Sequence, residues 1–296
     1  MMERLLYCIL KPVAILPLQV LYVLADCVFF LLYYIIRYRR RVVADNLAQC
    51  FPDKSEHERA QIARSFYRNF ADYIFETLKL LHISDSEMER RMQFEDLDII
   101  DRYVSEGRSV AVYFSHCFNW EWAPSMTLHT HPDGVNTAFC QVYRPLASHA
   151  FDSIMLRLRG RFGSLSLPKA TVLRRLLSLR RDGYVTVTGF MSDQKPSHGD
   201  PTLPLLFLGR PTAFITGTEE LARKLGMAAV YWDMYKISRG HYRIVTRVIA
   251  DNVADTGKGD VTRQYAAMLQ QTIERNPAIW LWTHKRWKIP VSLPKE

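Results

Sequence analysis

Val13 to Ile36 is a 24-residue apolar run interrupted only by Pro17, Gln19 and Asp26. As a helix it extends ~36 Å, enough to cross a bilayer core with some tilt. Everything else the chain builds must be arranged around an N-terminal segment that water does not tolerate exposed. Tyr22, Tyr33, Tyr34 and Tyr38 supply interfacial aromatics, and Arg37, Arg39, Arg40 and Arg41 follow, outnumbering Arg4 and Lys11 on the other flank. The positive-inside rule puts the larger C-terminal part in the cytoplasm. A cleaved signal peptide fits poorly, because the run is too long and no small-x-small site ends it. Asp26 is costly in lipid. The preferred reading is that the segment lies partly in the interface or packs Asp26 against the globular part, so monotopic insertion stays open beside spanning.

Residues 1–41 therefore read as a membrane anchor with a basic flank, and 42–296 as one domain large enough for a single core. The net charge of +9 comes from 39 basic and 30 acidic residues. That balance suits anionic membrane lipid or an acidic protein partner as well as nucleic acid. No zinc-finger spacing, RNA-recognition consensus or basic region with heptads supports the nucleic-acid reading, and no nucleic-acid partner is expected. Five scattered cysteines without a C-x-x-C pair point to a reducing compartment.

Along residues 55–81 the positions Ile62, Phe66, Phe70, Ile74, Leu78 and Leu81 recur at three- or four-residue spacing, which predicts an amphipathic helix opened by a capping signal at Ser55, Glu56 and Glu58. Beyond it the pattern alternates. Strands are expected at 109–114, 135–142 and 184–190, and a hairpin at 227–235 and 241–249 around Ser238-Arg239-Gly240. Helices are expected from Trp120, across 147–160, at 170–181, from Thr212 to Leu225 and at 260–275. The series predicts an α/β fold with a mixed, largely parallel sheet flanked by helices, preceded by the N-terminal membrane helix.

Three strand ends carry polar clusters. After 109–114 comes Ser115-His116-Cys117-Phe118-Asn119-Trp120-Glu121, a candidate general base followed five residues on by a carboxylate. On one continuous helix these two would stand roughly 140° apart, so the spacing calls for a strand-to-helix elbow. Asn119 or its neighbour caps, and Glu121 sits in the first turn, where it can orient the imidazole. After 184–190 comes Met191-Ser192-Asp193-Gln194-Lys195-Pro196, and the strand at 135–142 leads to Tyr143-Arg144-Pro145. In a parallel sheet all three clusters emerge on one edge, forming a crevice with base, acid, amide and guanidinium. Each has a structural alternative, with Arg144 as a surface ion-pair residue, Asp193 as a turn former and His116 as a satisfied strand-end histidine.

The blocks FSHCFNWEW, QVYRP, MSDQKP with LPLLFLGRP, and NPAIWLWTHKRWK, together with the upstream NLAQCFPDKSEHER, resemble in order those of the bacterial late acyltransferases of lipid A biosynthesis, within the lysophospholipid-acyltransferase superfamily. The resemblance implies an inner-membrane O-acyltransferase. It would move a fatty acyl group from an acyl carrier protein thioester, or from acyl-CoA, to a hydroxyl of a lipid A precursor. It implies His116 as base and Glu121 as its acid partner, with Arg144, Asp193, Gln194 and Asn119 around the substrate. No resident cofactor and no metal follow from it. Relatives act on other glycolipids and amino-lipids, so the acceptor is less firmly implied than the reaction.

A thioester is activated enough for direct attack by a base-assisted hydroxyl. Cys117 invites the opposite idea, an acyl-enzyme, but neighbours leaving a strand point opposite ways. Arg174 and Arg175, with Arg180 and Arg181, offer a basic face for the acidic carrier protein, as do Arg157, Arg159 and Arg161; a solvated face is the alternative. Trp280, Trp282 and Trp287 with His284, Lys285, Arg286 and Lys288 suit either anionic-lipid contact or core packing with a basic rim. Two other classes compete: a non-catalytic anionic-lipid-binding protein, and metal-dependent hydrolysis through His116, His129 and His131, for which no carboxylate or cysteine spacing completes a zinc set.

Overall fold

The structure, a computed structural model, describes residues 2–130, 132 and 134–293. The apolar run is broken by Pro17 into α1 (Met2–Ile15) and α2 (Leu18–Phe30), the latter continued by a π-helical turn, Leu31–Ile35. Proline at the start of α2 lacks only an N–H that would have no partner there. One side of α2 is buried through Leu18, Leu21, Ala25 and Phe29, while Val23, Phe30, Ile35 and Ile36 are exposed. Its inner face packs against α4 (Glu56–Lys79), reached through α3 (Arg40–Cys50). The expected start of α4 holds: Ser55 Oγ accepts the Glu58 N–H, and the Glu58 carboxylate accepts the Ser55 N–H at 2.7 Å. This reciprocal cap satisfies two of the orphan donors that every helix start leaves.

Two short helices, α5 (Asp85–Arg91) and α6 (Asp98–Ser105), flank strand β1 (Met92–Glu95). There follow β2 (Val110–Phe114), β3 (Thr137–Tyr143), α7 (His149–Arg159), β4 (Leu165–Pro168), α8 (Val172–Arg181) and β5 (Val185–Met191). The chain closes with β6 (Thr202–Phe207), β7 (Arg210–Ile215), α9 (Gly217–Leu225), β8 (Ala228–Ser238), β9 (His241–Ala250) and α10 (Asp260–Arg275).

Among the described residues seven strands form one sheet in the order β1-β9-β8-β2-β5-β3-β4, and only the β8/β9 hairpin is antiparallel. The mixed, largely parallel α/β sheet expected from the alternation is therefore present. Central β2 is buried at every residue, as a strand covered by helices on both faces must be.

Two expected helices differ. The segment from Trp120 is a 3-10 helix, Trp120–Leu128, containing Pro124, which has no N–H for an α-helical bond. The helix expected from Thr212 starts at Gly217, because Arg210–Ile215 instead pairs antiparallel with Thr202–Phe207, Thr212 lying opposite Leu205. The joining turn, Leu208-Gly209, has positive φ at both residues (50° and 73°). That is the twist a two-residue hairpin needs, and leucine seldom supplies it.

Candidate active site

Strands β2, β5 and β3 lie side by side, so the polar clusters after them emerge on one edge as the sequence predicts. In register, Phe114 faces Met191. Two residues beyond each stand His116 and Asp193, and they meet. Asp193 Oδ1 accepts from His116 Nδ1 at 2.7 Å, and Oδ2 accepts the His116 backbone N–H at 3.0 Å. Trp280 Nε1–H donates to the same Oδ2 at 2.8 Å. With a carboxylate against Nδ1, that nitrogen carries the proton and Nε2 keeps a free lone pair.

Asp193 is fully buried. Burial alone would raise its pKa, but the His116 charge and the hydrogen bonds from His116 and Trp280 pull it down to about 2. The His116 side chain is 16% exposed, enough to be reached from the crevice, and its ring lies edge-on to Trp120 at 5.1 Å.

The expected pairing of His116 with Glu121 is corrected. Glu121 is buried in a two-pronged ion pair with Arg159 of α7, Nε to Oε2 at 2.8 Å and Nη2 to Oε1 at 2.6 Å, and also accepts from Trp120 Nε1 at 3.0 Å. The cause is the cap. Asn119 Oδ1 accepts the Glu121 N–H at 3.1 Å, starting the 3-10 helix one residue after the elbow and turning the Glu121 side chain toward α7. Arg159 is accordingly no surface docking residue. Asn119 caps as expected, but its side chain is fully buried, donating to Glu76 Oε2 at 3.0 Å. Its amide is committed within the protein at both ends.

Arg144 is exposed beside the crevice, with Ser197 Oγ at 3.4 Å, and Gln194 is half-buried next to Asp193. Arg174 and Arg175 lie exposed on α8, away from these contacts. Cys117 is buried; burial pushes its thiol pKa well up, and its Sγ accepts from Ser115 Oγ at 3.1 Å. A thiol so placed is a poor nucleophile. His129 packs against Phe94, and His131 lies outside the described residues.

The C-terminal tryptophan block belongs to the site's wall. Trp280 and Trp282 are buried and meet at 4.8 Å, and Cys117 bridges to Trp280 through the backbone. Arg286 is buried and donates to the Ala213 carbonyl at 2.7 Å. His284 Nε2 accepts the Lys195 N–H at 3.1 Å, and burial pushes His284 down to about 4, leaving it neutral. Trp280 was thus missed as the second support of Asp193. Its only sequence signal was membership of the NPAIWLWTHKRWK block.

A family model described as bacterial lipid A biosynthesis acyltransferase matches residues 2–289. Over 251 residues the chain is 23% identical to the lipid A biosynthesis palmitoleoyltransferase of Escherichia coli, covering 84% of this chain and 79% of that protein. A lipid A biosynthesis acyltransferase of Shigella flexneri matches to the same extent. One from Haemophilus influenzae is 23% identical over 201 residues, 67% of this chain and 60% of that protein.

Proposed function

Because the chain belongs to the bacterial lipid A biosynthesis acyltransferase family, we propose that it is a membrane-anchored O-acyltransferase that moves a fatty acyl chain from an acyl-carrier-protein thioester to a hydroxyl of a lipid A precursor. The observation that carries the mechanism is the His116–Asp193 pair, with one imidazole nitrogen held at 2.7 Å by a buried carboxylate and the other unengaged at the mouth of the crevice.

His116 Nε2 accepts the acceptor's hydroxyl proton as its oxygen forms a bond to the thioester carbonyl carbon. The imidazolium that results is stabilised by Asp193, whose charge is already held in place. Collapse of the tetrahedral adduct breaks the C–S bond, and the proton on Nε2 passes to the departing thiolate. The atoms balance without a covalent enzyme intermediate or a resident cofactor. Buried Cys117 takes no part.

Glu121 then acts through structure, holding the His116 elbow to α7 by way of Arg159 rather than touching the imidazole. Arg144 and Gln194 line the acceptor side. A small apolar cavity of about 30 Å³ is lined by Phe114, Gly189 and Trp232, with Phe114 two residues before His116. Exposed Arg174 and Arg175 are the docking face for the carrier protein. Residues 1–41 anchor the enzyme in the inner membrane, with 42–296 on the cytoplasmic face, and anionic lipid holds the basic flank.

Mass spectrometry of membrane lipids from cells carrying the wild type or His116→Ala tests the reading. One lipid A species is expected to lose the mass of a single acyl chain in the variant, and an unchanged lipid profile contradicts the proposal.

A further inference from the structure

Beside the catalytic crevice lies a cleft of about 990 Å³ between α2, α4 and the tip of the β8/β9 hairpin. Its walls carry four cations, Arg64, Arg68, Lys236 and Arg239, and two carboxylates, Asp26 and Asp72, a net of +2. The carboxylates are already neutralised from within. Arg239 Nη2 reaches Asp26 at 2.8 Å and Asp72 at 2.6 Å, while Lys236 lies 3.6 Å from Asp72 and donates to Asn69 at 2.7 Å.

Arg64 and Arg68 are different. They stand one turn apart on the same side of α4, exposed, and among the described residues they have no hydrogen-bond or ion-pair partner. Each has a ring beside it: Arg68 lies 5.2 Å from the Phe29 ring and Arg64 6.0 Å from that of Tyr34. Two guanidinium forks are thus held over aromatic faces with their donors unspent.

The surface beside them fixes the character of the ligand. Phe30 and Ile35 of the α2 segment are 56% and 63% exposed, so the open guanidinia border apolar helix rather than solvated protein surface. A molecule that satisfies both is an anion with an apolar body. The net charge of +2 matches a phosphate monoester, which carries about −1.5 to −2 near neutral pH. Paired guanidinia also fit phosphate oxygens in a bidentate manner.

We propose that this cleft is a binding site for the phosphate-monoester headgroup of a membrane amphiphile, with Arg64 and Arg68 on the phosphate and the amphiphile's chains along the outer face of α2. The site stands apart from the acyl-transfer chemistry and does not need His116. It is nonetheless linked to the His116–Asp193 pair along the chain, since Asn276 and Ala278, which line the cleft, stand four and two residues before Trp280, whose indole N–H reaches Asp193. An amphiphile held here sits within reach of the same sheet edge.

The test uses the full chain in neutral-detergent micelles, titrated calorimetrically with short-chain phosphatidic acid, short-chain phosphatidylglycerol and inorganic phosphate. Phosphatidic acid is expected to bind about tenfold more tightly than the diester, a difference that one charge-assisted hydrogen-bond pair supplies. Arg64→Gln/Arg68→Gln abolishes that preference, and thermal unfolding shows that the fold is kept. Arg174→Gln/Arg175→Gln, which removes equal charge elsewhere, keeps it. His116→Ala keeps it too, so loss of acyl transfer and loss of this site are read separately. Binding of inorganic phosphate as tight as that of phosphatidic acid overturns the lipid assignment, and a monoester preference that survives in the Arg64/Arg68 variant overturns the site.

Discussion

Asp193 receives three donors on two oxygens: His116 Nδ1–H, His116 N–H and Trp280 Nε1–H. An asparagine there has one acceptor oxygen, so at least one donor must face an NH2 group, or the imidazole must change tautomer and lose its free Nε2. Asp193→Asn is therefore expected to lower kcat by ~10²–10⁴, measured by acyl transfer at saturating donor. The same residue sets an acid limit. Its pKa is depressed in the folded state from 3.8 to about 2, so its stabilisation is complete above the unfolded value and is lost as pH falls through about 2. The aspartate-dependent loss between about pH 4 and pH 2 disappears from acid unfolding curves of the asparagine variant. Sequence proximity pointed from His116 to Glu121, five residues on, whereas the actual partner is 77 residues away. Placing both residues on one sheet edge was within reach of the sequence. Strand adjacency was not, and it is the β2/β5 register that turns a shared edge into a hydrogen bond.

At the scale of elements, the elbow after β2 is held from several sides. Glu121 ties it to α7, and Glu76 of α4, fully buried, accepts from Tyr22 of α2, Asn119 of the elbow and Tyr242 of β9 at 2.8–3.0 Å. Burial, with Asp72 nearby, leaves the Glu76 pKa raised, and Lys236 and the donors from Asn119 and Tyr242 counter only part of the rise. If Glu121 positions the elbow, its removal harms chiefly by stranding the Arg159 charge. Glu121→Gln is expected to cost ~3–5 kcal/mol in thermal or denaturant unfolding, and Glu121→Gln/Arg159→Met to recover much of that loss together with activity. A double variant that regains stability but no transfer would assign Glu121 a direct chemical role. The long periodic elements, α4, α10 and the β8/β9 hairpin, were readable because their patterns extend over many residues. The hairpin of β6 and β7 was not. Its turn uses leucine at positive φ, and a six-residue run such as Arg210–Ile215 is too short for periodicity to separate strand from helix.

For the molecule as a whole, the N-terminal segment is part of the architecture rather than a tether. The inner face of α2 contributes Leu18, Leu21, Ala25 and Phe29 to the main core, and Asp26 finds Arg239 at the hairpin tip, the packing of that carboxylate against the globular part that the sequence left open. The cleft with Arg64 and Arg68 is lined by α2 together with the hairpin tip, so the N-terminal segment and the sheet share one surface. Residues 1–41 and the sheet edge are coupled through Tyr22, Glu76 and Asn119, in direct hydrogen-bond sequence. The proposed chemistry assigns the proton transfer to His116 and none to its cysteine neighbour. Purified enzyme given an acyl-carrier-protein thioester and a lipid A precursor tests it: His116→Ala is expected to lose ~10²–10⁴ in rate while Cys117→Ala keeps most of its activity. The reverse ranking would contradict it.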